Sequence, residues 1–540
     1  MIKNKILSNA VKSVFPVVIL ILFSVSVSGQ NNKQDLSGVR KYNALMQMIK
    51  FAYVDTVNES KLVEKAIVET LKELDPHSMY ISKKDLKQAN EQLVGNFEGI
   101  GVQFEILRDT INIVHPIPGG PSERLGILSG DKIVKIESEN VTGKKVTNQF
   151  VFDRLRGKKG TKVNVTIFRS GRKDLLDFAI VRDKIPINSI DASYMIEPGI
   201  GYINLTRFSS TSMNELTDAI LKLKAQGLQD LILDLRNNGG GYMNTAIELS
   251  DEFLSGRKLI VYTEGRMSPR EEYFSTDKGL FEKGKVVIMI NENSASASEI
   301  VSGAIQDLDR GIIVGRRSFG KGLVQRPFQL PDSSEVRLTT ARYYTPSGRC
   351  IQKSYSEGVD KYYEDYSTRY KHGEMENSDS IKFPDSLKFH TTNGRVVYGG
   401  GGIMPDVFIP LDTTPFTDYF LNIRRKNVIN LYVGDYVDKN RKDLQKKYPD
   451  FDTFDKKFTV DDAFIKDFLA LAEKQGVKME EKQYALSESL IKSQIKSLIA
   501  QKLWDVNESY KIINREDHEV QKAISVIKDN GLFDKFGIRH

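Results

Sequence analysis

Three short, almost entirely apolar runs constrain the fold of this chain more than any other feature of its sequence. They are Leu231–Leu235, Val286–Ile290 and Ile312–Val314, and stretches with helical periodicity lie between them. Strands buried on both faces have such near-continuous apolar sequences, and they occur in parallel sheets that helices cover. Residues 201–345 are therefore predicted to form an α/β domain.

The N-terminal residues have the pattern of a secretory signal peptide. Three lysines precede an apolar run at 15–23, and the small residues Ser28 and Gly29 follow it. This order predicts cleavage after Gly29, and the alternative is a retained membrane anchor. In either case the body of the protein is expected outside the cytoplasm, in the periplasm or the cell envelope. No lipobox cysteine follows the apolar run, so an N-terminal lipid anchor is not expected.

The rest of the chain shows two further kinds of pattern. Residues 35–74 have the periodicity of two helices, and residues 97–182 contain short alternating strands separated by glycine turns. Beyond about residue 411 the chain is rich in Lys and Glu. An apolar stripe there predicts helices, and it consists of Leu490, Ile491, Ile495, Leu498 and Ile499.

These patterns define the predicted domains of the 540-residue chain. Residues 353–396 are polar and charged, so we interpret them as an insertion or a flexible surface loop of the α/β domain. The predicted domains are a signal peptide (1–29), an N-terminal helical region (30–95), a β-domain (96–185), an α/β core (186–410) and a C-terminal helical region (411–540).

Composition excludes several classes of function. The net charge of +7 is mild for this length, and no Lys/Arg run is interleaved with aromatic residues, so nucleic acid is not an expected partner. The single cysteine, Cys350, excludes an internal disulfide and a cysteine-rich metal site. The six histidines contain no HExxH pair, so neither a zinc site nor any other cofactor is expected.

The first candidate for chemistry is a serine-rich segment that follows the apolar run 286–290. Residues 291–299 include three serines and lead into a helical pattern. A serine at a helix N-terminus lies among free backbone N–H groups, which suit an anion or a developing oxyanion. The alternative is a simple N-cap, which is the commoner role of a serine before a helix.

A serine nucleophile needs a base, and the nearest candidate is a lysine. No histidine lies between His115 and His372, whereas Lys321 lies between two glycines just after the run 312–314. A lysine can act as a general base if burial keeps its amine neutral. The alternative is an ordinary solvated lysine.

The same lysine also completes a match to a phosphate-binding loop. Residues 315–321 fit the pattern GxxxxGK after a strand. However, Gly322 stands where a serine or threonine would bind magnesium, and the residues after it have a strand pattern instead of a helical one. Nucleotide binding is therefore not expected.

Several spaced motifs together resemble a known enzyme family. The segments Ser294–Glu299, Gln306-Asp307 and Phe319–Gly322 are similar to the signature of carboxy-terminal processing (tail-specific) peptidases, which are serine peptidases of family S41. Further matches lie at 234–241, 344–348 and 401–406, so the resemblance covers roughly residues 40–410. It implies a crotonase-like α/β protease core.

The resemblance also implies roles for individual residues. Ser296 corresponds to the nucleophile, Lys321 to its base and Gln325 to the glutamine that orients the lysine amine. The implied oxyanion hole combines the N–H of Ala297 with one glycine of 239–241, for which we favour Gly240. The alternative for these glycines is a tight turn after a strand.

The β-domain then resembles a PDZ domain. Its segment Gly99, Ile100, Gly101 and Val102 is similar to the loop that binds a terminal carboxylate while the peptide adds to a sheet edge. The helical stretch 147–156 is expected to line the pocket for the last side chain, with Val151 as its apolar residue.

The sequence thus predicts an exported endopeptidase that binds the free apolar C-termini of proteins or peptides and cleaves upstream through an acyl-enzyme. The alternative is an inactive relative that acts as a peptide-binding scaffold. The resemblance also suggests a homo-oligomer or an adaptor protein as a partner.

Overall fold

The described chain begins with two helices, α1 (Ser37–Ala52) and α2 (Glu59–Lys72), which confirms the prediction of two helices in residues 35–74. This computed structural model describes residues 37–143 and 146–538, so the predicted signal peptide, residues 1–29, lies outside the described residues. The chain forms two compact units, one that ends at Ala66 and one that begins at Ile67. Within the described residues, no helix has both the length and the hydropathy of a membrane span.

The β-domain follows a short connecting strand and helix, β1 (Met79–Ile81) and α3 (Leu86–Val94). Its main sheet has the order β3-β4-β5-β7-β8 with β6 beside β5, and β2 pairs separately with β9. Among the described residues β3 pairs with β4 alone, so its other edge is open. The elements are β2 (Asn96–Gly99), β3 (Val102–Leu107), β4 (Thr110–Pro116), α4 (Pro121–Arg124), β5 (Lys132–Ile136), β6 (Glu139–Asn140), α5 (Asn148–Leu155), β7 (Lys162–Phe168), β8 (Leu176–Val181) and β9 (Asp183–Pro186).

The α/β core confirms the domain predicted from the apolar runs. Its elements are β10 (Ile190–Glu197), β11 (Ile200–Leu205), α6 (Ser212–Ala225), β12 (Asp230–Asp234), α7 (Met243–Asp251), β13 (Leu259–Gly265), β14 (Ser268–Phe274), β15 (Val286–Ile290), α8 (Ala297–Asp307), β16 (Ile312–Gly315), β17 (Leu323–Gln329) and β18 (Glu335–Tyr344). All residues of β15 and β16 are buried, as strands covered on both faces require.

Parallel strands bring the segments that contain the predicted site residues together at one edge of the core. The central sheet has the order β10-β11-β12-β15-β16-β21, and its strands from β11 onward are parallel, with β21 at Val407–Phe408. The loops after β12, β15 and β16 therefore start at the same edge, where α/β sheets place their ligands. A second sheet, in the order β1-β18-β13-β14 with β17 beside β18, carries the residues that follow Lys321.

Of the two interpretations given for residues 353–396, an insertion or a flexible surface loop, the flexible loop is wrong. This segment contains α9 (Val359–Lys371), two short 3₁₀ turns and a hairpin of β19 (Lys388–His390) and β20 (Val396–Tyr398). Its polar side chains are used in packing: Tyr362 and Arg369 are buried, and Arg369 donates to the carbonyls of Arg317 and Ser318. The polar composition of this segment suggested a loop. Composition does not show which polar side chains find hydrogen-bond partners inside the protein.

The C-terminal region is helical, as predicted. It contains α10 (Asp418–Arg425), α11 (Val428–Lys447), α12 (Phe451–Lys457), α13 (Asp462–Lys474), α14 (Glu481–Leu503), α15 (Val506–Glu516), α16 (His518–Lys528) and α17 (Asn530–Lys535). In the predicted stripe on α14, Ile491, Ile495 and Ile499 are fully buried, and the two leucines are partly buried.

The last two helices, α16 and α17, pack against the central sheet of the α/β core. Val520, Ile524 and Ile527 of α16 form one apolar cluster with residues on one face of the central sheet, while α6, α7 and α8 pack on the opposite face. Asp517 and Glu519, at the start of α16, form ion pairs with Arg236 after β12. The C-terminal helices therefore complete the second layer that the parallel sheet requires.

Candidate active site

Ser296 lies at the junction of β15 and α8, one residue before the helix begins. Its backbone has φ +55° and ψ −111°, a conformation that non-glycine residues seldom adopt and that active sites often contain. Its own N–H donates to Glu299 Oε2 at 2.8 Å. The next N–H, that of Ala297, belongs to the first helical turn, where backbone amides have no intrahelical acceptor.

Glu299 connects the serine segment to the lysine segment. Its side chain is fully buried, and burial raises the pKa of this carboxyl group, whereas its hydrogen bonds act in the opposite direction. The carboxylate accepts four hydrogen bonds, from the backbone N–H groups of Ser296 (2.8 Å), Gly320 (2.7 Å) and Lys321 (2.9 Å) and from Ser318 Oγ (2.5 Å). Sequence reasoning quoted Glu299 within a motif but assigned it no role.

A buried tyrosine makes a second connection between the same two segments. The Tyr343 hydroxyl contacts the carbonyl oxygen of Lys321 at 2.6 Å and that of Ser296 at 3.1 Å. Tyr343 lies on β18, far from both in sequence, and sequence reasoning missed it. Neither the strand pattern around Tyr343 nor its residue type indicated that its hydroxyl would contact these two carbonyls.

The amine of Lys321 lies in an environment that disfavours its charged form. Burial lowers the pKa of Lys321 and the nearby Arg337 contributes in the same direction, while Glu299 and Asp75 oppose the shift. The Lys321 amine donates to Gln325 Oε1 at 3.3 Å. Among the described residues, no hydrogen bond joins Ser296 Oγ to Lys321 Nζ.

As predicted, the residues after Lys321 form a strand, β17, which a phosphate-binding loop would not have.

The three predicted catalytic residues line one cavity of about 410 Å³. Ser296, Lys321 and Gln325 share it with apolar side chains of several elements, including Met79, Leu93, Met243, Ile300 and Leu323. The structure therefore brings together the nucleophile, the base and its orienting amide that the family resemblance implies. No group of three or more His, Cys, Asp or Glu residues in the described part of the chain is arranged to hold a metal ion.

The glycine loop after β12 approaches the nucleophile closely. Gly240 has φ +99°, and a Cβ at this position would lie 2.8 Å from Ser296 Cβ, so glycine is needed there. The Gly240 N–H donates to Asn238 Oδ1 at 2.9 Å, whereas Gly239 and Gly241 line the cavity. Which of these glycines faces an oxyanion stays a prediction.

The predicted carboxylate loop lies between β2 and β3. Gly101 has φ +72°, and a Cβ there would meet Ile185 Cδ1 at 2.9 Å. The carbonyl of Ile100 accepts from Ser122 Oγ at 2.6 Å, and that of Gly101 accepts from the Ile117 N–H at 3.0 Å. The loop is thus held from behind and leads directly into β3, the strand with an open edge.

The structure contradicts the placement of Val151 in a binding pocket. Val151 is 0% exposed and packs in the core of the β-domain. A short amphipathic helix buries one face, and Val151 lies on that face of α5 together with Leu155. Between β3 and α5, the rings of Phe104 and Phe152 contact each other edge to face, with centroids 5.9 Å apart.

Comparisons with known proteins agree with this architecture. The model of peptidase family S41 matches residues 199–364. A carboxy-terminal-processing protease of Bartonella bacilliformis is 37% identical over 347 residues, which cover 63% of this chain and 79% of that protein. The chain belongs to peptidase family S41. It is a carboxy-terminal processing protease of the serine type, and a PDZ domain model matches residues 99–180.

Other S41 relatives match over a similar part of the chain. The carboxy-terminal processing protease CtpA of Bacillus subtilis is 36% identical over 334 residues, which cover 62% of this chain and 70% of that protein. Among solved structures, a photosystem II D1 C-terminal processing protease is 25% identical, covers 72% of this chain and 89% of its own, and has a TM-score of 0.36. A family of unknown function matches residues 419–505 in the C-terminal helices.

Proposed function

We propose that this S41 protease is an exported endopeptidase that cleaves with a Ser296–Lys321 dyad and selects substrates by their free apolar C-termini. The observation that carries the proposal is the shared cavity of Ser296, Lys321 and Gln325. It is supported by the buried carboxylate of Glu299, which binds backbone N–H groups of both the serine and the lysine segments.

In the proposed reaction, the neutral Lys321 amine takes the Ser296 Oγ proton as Oγ attacks the scissile carbonyl carbon. The oxyanion of the tetrahedral intermediate accepts hydrogen bonds from the Ala297 N–H and from the glycine loop. When the intermediate collapses, the carbon–nitrogen bond breaks and the Lys321 ammonium gives its proton to the leaving amine. Lys321 then takes a proton from a water molecule as the water oxygen attacks the acyl carbon. When this second intermediate collapses, the bond between the acyl carbon and Ser296 Oγ breaks, and the Lys321 ammonium returns its proton to Oγ.

The proposed selection of substrates uses the PDZ domain. A terminal carboxylate binds the loop 99–102, and the peptide adds to the open edge of β3 as a further strand. Because Val151 is buried, the last apolar side chain is proposed to lie between β3 and α5, beside Phe104 and Phe152.

Export is proposed from the N-terminal sequence. Mass spectrometry of the N-terminus of the mature protein tests the proposed cleavage after Gly29. The homo-oligomer or adaptor partner stays a prediction.

The test uses three peptides that share one cleavable segment and differ only at the tail, which is free and apolar, amidated or ended by Asp. We expect the free apolar tail to be cleaved about tenfold faster or more, because amidation removes the charge and Asp places a charge in an apolar site. Equal rates would contradict selection of C-termini and leave a general S41 endopeptidase.

Serine variants control this test and separate the enzyme from the inactive scaffold. Ser296→Ala is expected to abolish cleavage of all three peptides without unfolding the protein, since it removes one hydroxyl group. Ser294→Ala is the matched control: its Oγ donates to the Leu235 carbonyl, so the variant loses some stability but keeps substantial activity. Similar cleavage by Ser296→Ala and the unmodified protein would overturn the proposed nucleophile.

A further inference from the structure

Gln325 is held at both ends of its side-chain amide. Its Oε1 accepts from Lys321 Nζ at 3.3 Å, and its Nε2 donates to the backbone carbonyl of His77. A carbonyl oxygen can only accept, so the NH₂ end of the amide must face His77. The oxygen end therefore faces the lysine amine, and the position of the His77 carbonyl decides the orientation of Gln325.

The His77 carbonyl belongs to a tightly bonded turn at residues 75–78. The buried carboxylate of Asp75 accepts hydrogen bonds from the His77 N–H (2.8 Å), the Ser78 N–H (2.9 Å), Ser78 Oγ (2.5 Å) and Thr339 Oγ1 (3.1 Å). Thr339 lies on β18, opposite Gln325 on β17. The turn is thus fixed to the same pair of strands that carries the glutamine.

Helix α9 holds this turn from the other side. Tyr362 Oη lies 2.8 Å from His77 Nε2, and Tyr363 Oη donates to the Pro76 carbonyl at 2.7 Å. The rings of His77 and Tyr362 meet edge to face with centroids 5.2 Å apart, and Phe319 packs against both. Burial, with the charge of Lys321 adding to it, lowers the pKa of His77 to about 4, so its ring is neutral at neutral pH.

We propose that Tyr362 of α9 is a positioning residue for the catalytic lysine. It acts through the His77 ring, the turn 75–78 and the amide of Gln325, so helix α9 helps to position the proposed base. The inference rests on the proposed Ser296–Lys321 dyad. Without the tyrosine hydroxyl, the buried His77 Nε2 has no partner, and the turn that orients Gln325 loses its contact with α9.

The first test compares Tyr362→Phe with Tyr366→Phe. Tyr362→Phe keeps the ring and removes the hydroxyl, whereas Tyr366 is 48% exposed on the same helix and serves as the matched control. We expect Tyr362→Phe to lower kcat about five- to tenfold with little change in KM, as the loss of one buried hydrogen bond allows. Tyr366→Phe should match the unmodified protein.

The pH profile of kcat separates positioning from general damage. An amide oxygen favours the ammonium form of Lys321, so a displaced Gln325 should move the apparent pKa of the profile downward. Tyr362→Phe should show this shift, and Tyr363→Phe a smaller one. A reduced kcat with an unshifted profile, at an unchanged melting temperature, would overturn the proposal.

A double-mutant cycle tests the route through Gln325. If Tyr362 acts through this amide, adding Tyr362→Phe to Gln325→Ala should cause almost no further loss of the single-turnover rate. Independent, multiplying losses would overturn the proposal. Lys321→Ala is measured in parallel: substantial activity in that variant would overturn the dyad itself, whereas an inactive Lys321→Ala with a multiplying cycle would overturn only the role of Tyr362.

Discussion

The proposed catalytic cavity and the contact between the PDZ domain and the C-terminal helices are both held by polar groups from different segments of the chain, but the two differ in burial. Glu299 has no exposed surface and accepts four hydrogen bonds. At the PDZ contact, Arg108 on the β3–β4 turn pairs with Asp435 of α11 at 2.7 Å, and these side chains are 59% and 52% exposed. Lys132 and Asp438 form a second, less exposed pair there.

This difference determines how firmly each region is held. Exposed ion pairs contribute about 0–1 kcal/mol and are screened by salt, whereas a buried donor that loses its acceptor costs more. The segments of Ser296 and Lys321, the proposed nucleophile and base, are therefore held firmly relative to each other. The PDZ domain is attached to the helices by the exposed pair Arg108–Asp435, which salt screens, and also by a more buried pair, Lys502 and Glu105, at 2.7 Å.

The largest effect is expected at Lys321. Lys321→Arg should be inactive, because a guanidinium stays protonated and cannot act as a base. In the proposed mechanism only the neutral amine acts as a base, so the activity of the unmodified protein should rise with pH through one apparent pKa. Burial lowers the pKa of Lys321, so this value should lie below the usual lysine value of about 10.4. The measurement is kcat/KM against pH; loss of activity in EDTA that zinc restores would contradict the dyad.

A smaller but still large effect is expected at Glu299. Glu299→Ala leaves four donors in the core without their acceptor, so we expect a loss of unfolding free energy on the order of 3 kcal/mol, together with a severe loss of activity. Urea titration followed by circular dichroism measures the first, and peptide cleavage the second. A change of stability no larger than that of an exposed variant such as Glu69→Ala would remove the contrast between the two regions.

The smallest effect is expected at the PDZ contact. Arg108→Glu should lower the unfolding free energy by less than about 1 kcal/mol, and the exchanged pair Arg108→Asp with Asp435→Arg should recover part of that loss. The coupling energy of the two sites, measured by urea titration, should vanish in 1 M NaCl, where the screening length is about 3 Å. Coupling that is large and independent of salt would show that this contact is as rigid as the catalytic cavity.

Much of the core was predictable because local patterns determine local structure. The apolar runs predicted β12, β15 and β16, and the stripe on Ile491, Ile495 and Ile499 predicted the buried face of α14. The resemblance to family S41 supplied the residue types of the site. Polarity failed as a guide at α9, because Tyr362 and Arg369 are buried with hydrogen-bond partners that lie elsewhere in the chain.

The sequence by itself determined the strands and helices, the serine at a strand–helix junction and the lysine between glycines, since each depends on neighbours along the chain. The tertiary structure decided what surrounds them. Three of the four donors of Glu299, the Tyr343 hydroxyl between two carbonyls, and the His77 carbonyl that orients Gln325 come from other segments of the chain. Such contacts follow from how sheets and helices pack, and periodicity reports only which face of an element is apolar.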